Sequence, residues 1–111
     1  MTTPRLQQLL SFLESSPNDS FITFAIAKEY EGMGDLEEAL NYFLKLKKND
    51  PDYVGTYYHL GKLYEQKAEI EKAFHTYKQG MHFAKKAEDQ QSFNELAGAK
   101  LALGDDEDFE D

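Results

Sequence analysis

The sequence predicts an all-α fold, an α-α superhelix of about six helices in which antiparallel helical hairpins repeat. The first observation is that residue types recur 34 positions apart, as in Tyr30 and Tyr64 and in Ala39 and Ala73. The second is that apolar residues within each unit lie three or four apart, with one break, as in two amphipathic helices. A fixed period with two helices per unit is typical of stacked helical hairpins.

The first half of the chain is predicted to form a capping helix and one hairpin. Residues 3–16 carry four leucines at helical spacing and form the N-terminal capping helix. Repeat 1 covers residues 20–53, with helices at 20–32 and 36–49. In the break between these helices, Gly34 can take a left-handed turn and Asp35 can cap the next helix.

The second half is predicted to form another hairpin, a second capping helix and a tail. Repeat 2 covers 54–87, with helices at 54–66 and 70–84, and the C-terminal capping helix covers 89–103. The connector Asp50-Pro51-Asp52 is expected to end one helix and cap the next. Residues 1–104 are expected to form a single domain. The acidic residues in 105–111 repel one another, so this tail is expected to be disordered.

Charge and composition exclude several classes of function. The net charge is −9, and six of the negative charges lie in the tail. A phosphate backbone or an anionic membrane surface would be repelled, so neither nucleic acid nor membrane is expected as a partner. No apolar run is long enough to cross a bilayer, and the polar start of the chain lacks the long apolar core of a secretory signal, so we expect a cytoplasmic protein. The chain has no cysteine, which excludes disulfides and thiolate metal sites.

Two stretches within residues 20–87 resemble the tetratricopeptide repeat (TPR). The residues that carry the resemblance are Leu60, Gly61, Tyr64, Ala73 and Tyr77, and in a weaker copy Ile26, Ala27, Tyr30, Ala39, Phe43 and Pro51. The segment from Gly34 to Leu40, Gly-Asp-Leu-Glu-Glu-Ala-Leu, resembles the family as well. The early tryptophan of the family is replaced by Thr23 and Tyr57. The resemblance implies that the first helices of the repeats line a concave groove that binds a peptide or a helix.

The candidate groove residues lie on the side of each first helix that faces away from the packing positions. They are Phe21, Phe24, Lys28 and Glu31 in repeat 1, and Tyr58, Lys62 and Glu65 in repeat 2. The two phenylalanines could equally pack against the leucines of the first helix, and each lysine could simply pair with the glutamate three positions on. Family members that bind chaperone C-termini use a clamp of lysine and asparagines. This chain has Phe24, Lys28 and His59 at the matching positions, so such binding is not predicted.

No constellation in the sequence indicates catalysis, and no catalytic residue, cofactor or metal is predicted. His75 and His82 lie about two helical turns apart, which is too far to share a metal ion. No phosphate-binding glycine loop or nucleophile motif is present.

The sequence therefore predicts a non-catalytic protein-protein interaction module that binds a peptide or helix. The alternative is a self-associating unit, a homodimer formed through the terminal helices. A further hypothesis concerns Phe109, which stands among acidic residues and could dock in the groove of its own or another chain.

Overall fold

The structure, a computed structural model, describes residues 2–109. Its six α-helices are α1 (Pro4–Ser15), α2 (Ser20–Gly32), α3 (Leu36–Asn49), α4 (Gly55–Gln66), α5 (Ile70–Lys86) and α6 (Gln90–Leu103). A short 3₁₀ helix follows at Asp106–Asp108, and no strand is present in the described part of the chain. The predicted all-α fold is confirmed, and the predicted helix ends agree to within two residues. The chain divides into two compact units, unit 1 up to Asp50 and unit 2 from Pro51.

Unit 1 consists of α1, α2 and α3. Helix α1 begins at Pro4, and the Thr3 side chain caps it by accepting a hydrogen bond from the N–H of Leu6 at 3.0 Å. The leucine stripe of α1 packs on α2, because Leu6 and Ile26 are fully buried in one apolar cluster. Helices α2 and α3 form the first hairpin, and the rings of Tyr30 and Tyr42 stack between them at 5.6 Å.

Unit 2 consists of the hairpin α4–α5 and of α6, which packs on α5. Its core is built around Tyr57 and Tyr77, both fully buried, with Leu96 of α6 beside them. Tyr57 stands where the repeat that the sequence resembles has a tryptophan, and its ring stacks on Phe83 at 5.5 Å. Its hydroxyl donates a 2.6 Å hydrogen bond to the carbonyl oxygen of Pro51, which ties the start of the unit to the core.

The turns that follow α2, α4 and α5 share one conformation. In each, one residue adopts a positive φ, and the N–H of the next residue donates to a carbonyl five positions earlier. The positive-φ residues are Gly34 at 80°, Ala68 at 61° and Glu88 at 57°. The donor–acceptor pairs are Asp35 to Tyr30, Glu69 to Tyr64 and Asp89 to Ala84. This bond closes the end of one helix and places an acidic residue at the start of the next.

The connector before α4 differs in part from the prediction. Asp50 ends α3 as expected, but Val54 stands at the N-cap of α4, where no side chain donates or accepts a capping hydrogen bond. Asp52 instead accepts a hydrogen bond from Lys86 at 3.1 Å. The predicted capping role of Asp52 is therefore wrong, because two further residues separate it from the helix.

The expectation of a disordered tail is wrong for residues 105–109. The 3₁₀ helix Asp106–Asp108 is formed, and the ring of Phe109 stacks on that of Phe74. The expectation considered only repulsion among the acidic residues, whereas Lys78 and Lys100 lie close enough to offset part of it. The last two residues of the predicted tail, 110 and 111, lie outside the described residues.

Candidate partner-binding surfaces

The α4 surface consists of Tyr58, Lys62 and Glu65, which follow each other along one side of α4. Tyr58 is 36% exposed although it is a large aromatic residue. The Nζ atom of Lys62 lies 5.4 Å from the centre of the Tyr58 ring and 3.7 Å from a carboxylate oxygen of Glu65. The predicted pairing of Lys62 with Glu65 is thus present. These contacts restrict the side chains of the α4 surface while leaving them accessible to a partner.

The buried residue Tyr77 supports the α4 surface from below. Its hydroxyl donates a hydrogen bond to the Glu65 carboxylate, and its ring lies 6.3 Å from the ring of Tyr58. Burial raises the pKa of Tyr77 far above its usual range, and the hydrogen bond with Glu65 raises it further. The phenol therefore remains protonated and keeps donating even at an alkaline pH where an ordinary tyrosine ionises. Glu65 is held in place by the core of unit 2, whereas an ordinary surface glutamate would move freely.

The α2 surface, in unit 1, consists of Phe21, Phe24, Lys28 and Glu31. Phe21 is 68% exposed, so the packing interpretation does not apply to it. Phe24 is half-buried and contacts Phe43 of α3 edge to face at 5.9 Å, so it packs within the α2–α3 hairpin. Lys28 is exposed and Glu31 is half-buried. Phe21 is therefore the apolar residue that this face presents to solvent.

Sequence reasoning missed two features of unit 2. One is the link between Glu65 and Tyr77, which are 12 residues apart and meet only because α4 and α5 pair as a hairpin. The other is the contact of Phe109 with Phe74, a buried residue of α5. The hypothesis that Phe109 docks on its own chain identified the aromatic residue but placed it in the groove. The residue it stacks on lies instead on the second helix of the repeat.

Within residues 2–109, no three histidine, aspartate or glutamate side chains form a group that could hold a metal ion. None of the helices in this range is both long and apolar enough to cross a membrane.

Comparisons with known proteins identify the repeats. A family model described as tetratricopeptide repeat matches residues 24–53 and 54–81. A tetratricopeptide repeat domain protein from Salinibacter ruber, solved by solution NMR, is 44% identical with a TM-score of 0.75, and the alignment covers 78% of this chain and 88% of that one. A crystal structure described in the same terms, also from Salinibacter ruber, is 44% identical with a TM-score of 0.75. The alignment covers 77% of this chain and 96% of that one.

A more distant structure shows the same fold. A protein from Bordetella parapertussis, solved in solution, has a TM-score of 0.77 at 22% identity, and the alignment covers 93% of this chain and 89% of that one. A search of curated proteins finds no match. Tetratricopeptide repeats generally mediate protein-protein interaction, and proteins built from them are generally scaffolds without catalytic activity. The two matched repeats and the 44% identical relatives establish that this chain belongs to the tetratricopeptide repeat family.

Proposed function

We propose that this chain is a non-catalytic interaction module that binds a peptide or helix of another protein through the first helices of its repeats. The α4 surface is the principal contact. The observation that carries this proposal is the exposed ring of Tyr58, which Lys62 and the core residue Tyr77 hold in a defined position. An aromatic residue that is rigid before binding loses little conformational entropy when a partner covers it.

The chemistry of the α4 surface favours a partner with mixed character. Tyr58 offers an apolar ring with a polar tip, which suits an apolar side chain of the partner. Lys62 and Glu65 stand three residues apart and offer one charge of each sign beside that ring. A peptide that places an apolar residue between polar groups would satisfy all three side chains. In unit 1, Phe21 offers a second apolar contact, which is tested separately.

The test compares partner capture by the intact chain and by variants of the α4 surface. Proteins retained from cell extract are identified by mass spectrometry, and the affinity of each is then measured with purified components by calorimetry. Tyr58→Ala should weaken binding by about 2 kcal/mol, or roughly 30-fold, because truncation of an aromatic anchor typically costs that much. Phe21→Ala tests the α2 surface in the same way.

Lys72 provides a matched control for Lys62. It too lies over a tyrosine ring, 5.7 Å from the centre of Tyr64, and pairs with a glutamate three positions away, at 3.3 Å from Glu69. Lys62→Glu should reduce the affinity, and Lys72→Glu, on α5, should leave it within about twofold of the intact chain. Equal affinities for the intact chain and for Tyr58→Ala would show that the α4 surface is not the binding site.

Self-association is the second candidate, and the exposure of Leu101 favours it. This residue of α6 is 70% exposed, the largest exposed fraction among the large apolar side chains of the described residues. A homodimer formed through α6 would cover it. Light scattering over a wide range of protein concentrations decides the question, since a constant monomer mass excludes the dimer. A dimer that Leu101→Lys converts to a monomer would establish it.

A further inference from the structure

The residues that follow α6 fold back onto unit 2 through an aromatic contact. The rings of Phe109 and Phe74 are stacked, with their centres 4.3 Å apart and their planes inclined by 22°. Phe74 belongs to α5 and is fully buried with Phe109 in place. The Nζ atom of Lys100, on α6, lies 4.7 Å from the centre of the Phe74 ring. An aromatic ring and a cation thus meet at one place on α5 and α6.

The same place holds a carboxylate. Asp106 accepts a hydrogen bond from Lys100 at 3.2 Å, and the Nζ atom of Lys78 lies 3.7 Å from the same oxygen. The hydrogen bond and charge of Lys100, aided by Lys78, hold the pKa of Asp106 below its ordinary value. The Lys100 side chain is only 17% exposed, so its ammonium group is held in place by its surroundings. We call Phe74, Lys78 and Lys100 the Phe74 site.

A turn at Gly104 brings the segment into the Phe74 site. Gly104 has a φ of 146°, and a side chain there would place its Cβ 2.9 Å from atoms of Asp108 and Phe109. The N–H of Asp105 donates to the Asp108 carboxylate at 2.9 Å and so fixes the following 3₁₀ helix. That helix places Asp106 and Phe109, three residues apart, on the lysines and on Phe74 at the same time.

We propose that the Phe74 site is a binding site for acidic-aromatic peptides, in which an aspartate is followed three residues later by a phenylalanine, and that residues 105–109 occupy it in cis. The occupant shows which chemistry the site accepts: one carboxylate between two lysines and one ring on Phe74. This proposal goes beyond the function proposed above, because it uses another surface and none of the residues Tyr58, Lys62 and Glu65.

The contacts of the cis segment are of the kind that a competing peptide can replace. Its helix is three residues long, and Asp106 is 64% exposed, so salt screens its ion pairs. The segment makes an apolar contact through the stacking of Phe109 on Phe74. Short, exposed segments with few apolar contacts open readily in folded proteins. Because the cis segment competes as an intramolecular ligand, a peptide in trans binds more weakly while it is in place.

A purely structural role for the segment is the competing explanation. In that case Phe109 only shields Phe74 from water, and removing it lowers stability without creating a site for any peptide. The two explanations differ in one measurable respect, which is the binding of an added peptide to a chain whose own segment has been displaced.

The experiment uses the full chain and a fluorescent synthetic peptide, Gly-Asp-Asp-Glu-Asp-Phe, with an amidated C-terminus so that no terminal carboxylate contributes. Fluorescence anisotropy is recorded at low salt. Phe109→Ala should bind the peptide about threefold to tenfold more tightly than the intact chain, as expected for the loss of one aromatic pair from the competing segment. Adding Lys100→Glu to Phe109→Ala should abolish binding. The matched charge control adds Lys72→Glu, on the same helix as Phe74, to Phe109→Ala. This second change should leave peptide binding intact.

A second variant, Gly104→Ala, keeps the proposal testable if Phe109→Ala does not fold. Gly104→Ala disturbs the turn while leaving Phe109 and the Phe74 site unchanged, and it should also increase peptide affinity. Circular dichroism verifies that each variant keeps its helix content. Absence of binding to both variants, or equal binding of a peptide with alanine in place of phenylalanine, would overturn the proposal. So would a dimer that Phe109→Ala dissociates, since the site would then serve a second copy of the chain.

Discussion

Gly61 lies directly against the ring of Tyr77, and this contact allows α4 and α5 to approach closely. A Cβ atom on Gly61 would stand 2.1 Å from Cε1 of Tyr77. The ring has little freedom to move away, because Tyr77 is fully buried and its hydroxyl donates a hydrogen bond to Glu65. Gly61→Ala should therefore lower the free energy of unfolding by about 1 to 3 kcal/mol, as in other overpacked cores. Urea unfolding followed by circular dichroism measures this.

Gly98 provides the control for this substitution. It also lies within a helix of unit 2, but a Cβ atom there would meet nothing within 4 Å. Gly98→Ala should raise the free energy of unfolding by about 0.5 to 1 kcal/mol, because alanine favours the helix and loses less backbone entropy on folding. If the two variants changed stability in the same direction, close packing at Gly61 would not be the reason for its glycine.

The turn between α4 and α5 has the conformation of a glycine turn without a glycine. Ala68 adopts a φ of 61°, close to the 80° of Gly34 in the first hairpin. The 2.8 Å bond from the N–H of Glu69 to the carbonyl of Tyr64 holds it there. Because a Cβ is disfavoured in this region, Ala68→Gly should stabilise the chain by about 1 kcal/mol. The midpoint of thermal unfolding should rise accordingly.

The neighbouring turn supplies the comparison for Ala68→Gly. Ala87 ends α5 with an ordinary φ of −83°, so glycine relieves no strain there. Ala87→Gly should be neutral or destabilise the chain by up to about 1 kcal/mol. Stabilisation by Ala87→Gly, or its absence in Ala68→Gly, would mean that strain at Ala68 does not limit stability.

The helices were predictable from sequence because each depends on signals within a few residues. Apolar spacing sets the helix, and residues such as Asp35, whose carboxylate accepts from the N–H of Glu38 at 3.2 Å, mark its start. The α4 surface could be predicted as far as Tyr58 and the Lys62–Glu65 pair, since these residues are neighbours on one helix. The docking of Phe109 could be proposed, but its place on α5 could not, because Phe109 and Phe74 are 35 positions apart and no periodic pattern connects them.

One fully buried tyrosine and two partly buried ones make the stability of the molecule sensitive to alkaline pH. Burial is the main cause that raises the pKa of Tyr77, and likewise that of Tyr30 and of Tyr42, above the ordinary value of 10.0. Below about pH 10 the phenols are neutral in the folded and unfolded states, so this contribution to stability is complete. Above it the unfolded chain loses protons that the folded chain retains. The free energy of unfolding should therefore fall as the pH rises.

Urea unfolding between about pH 8 and about pH 11 tests this dependence. Tyr77→Phe should be less stable than the intact chain at the lower pH, because the hydrogen bond to Glu65 is lost. Its free energy of unfolding should nevertheless fall less steeply with pH than that of the intact chain. The two slopes should differ by at most about 1.4 kcal/mol per pH unit, which is the contribution of one titrating phenol. Tyr30 and Tyr42 should maintain the rest of the slope. A free energy of unfolding that stays constant over this range, or an equal slope in Tyr77→Phe, would mean that the buried phenol of Tyr77 is not coupled to folding.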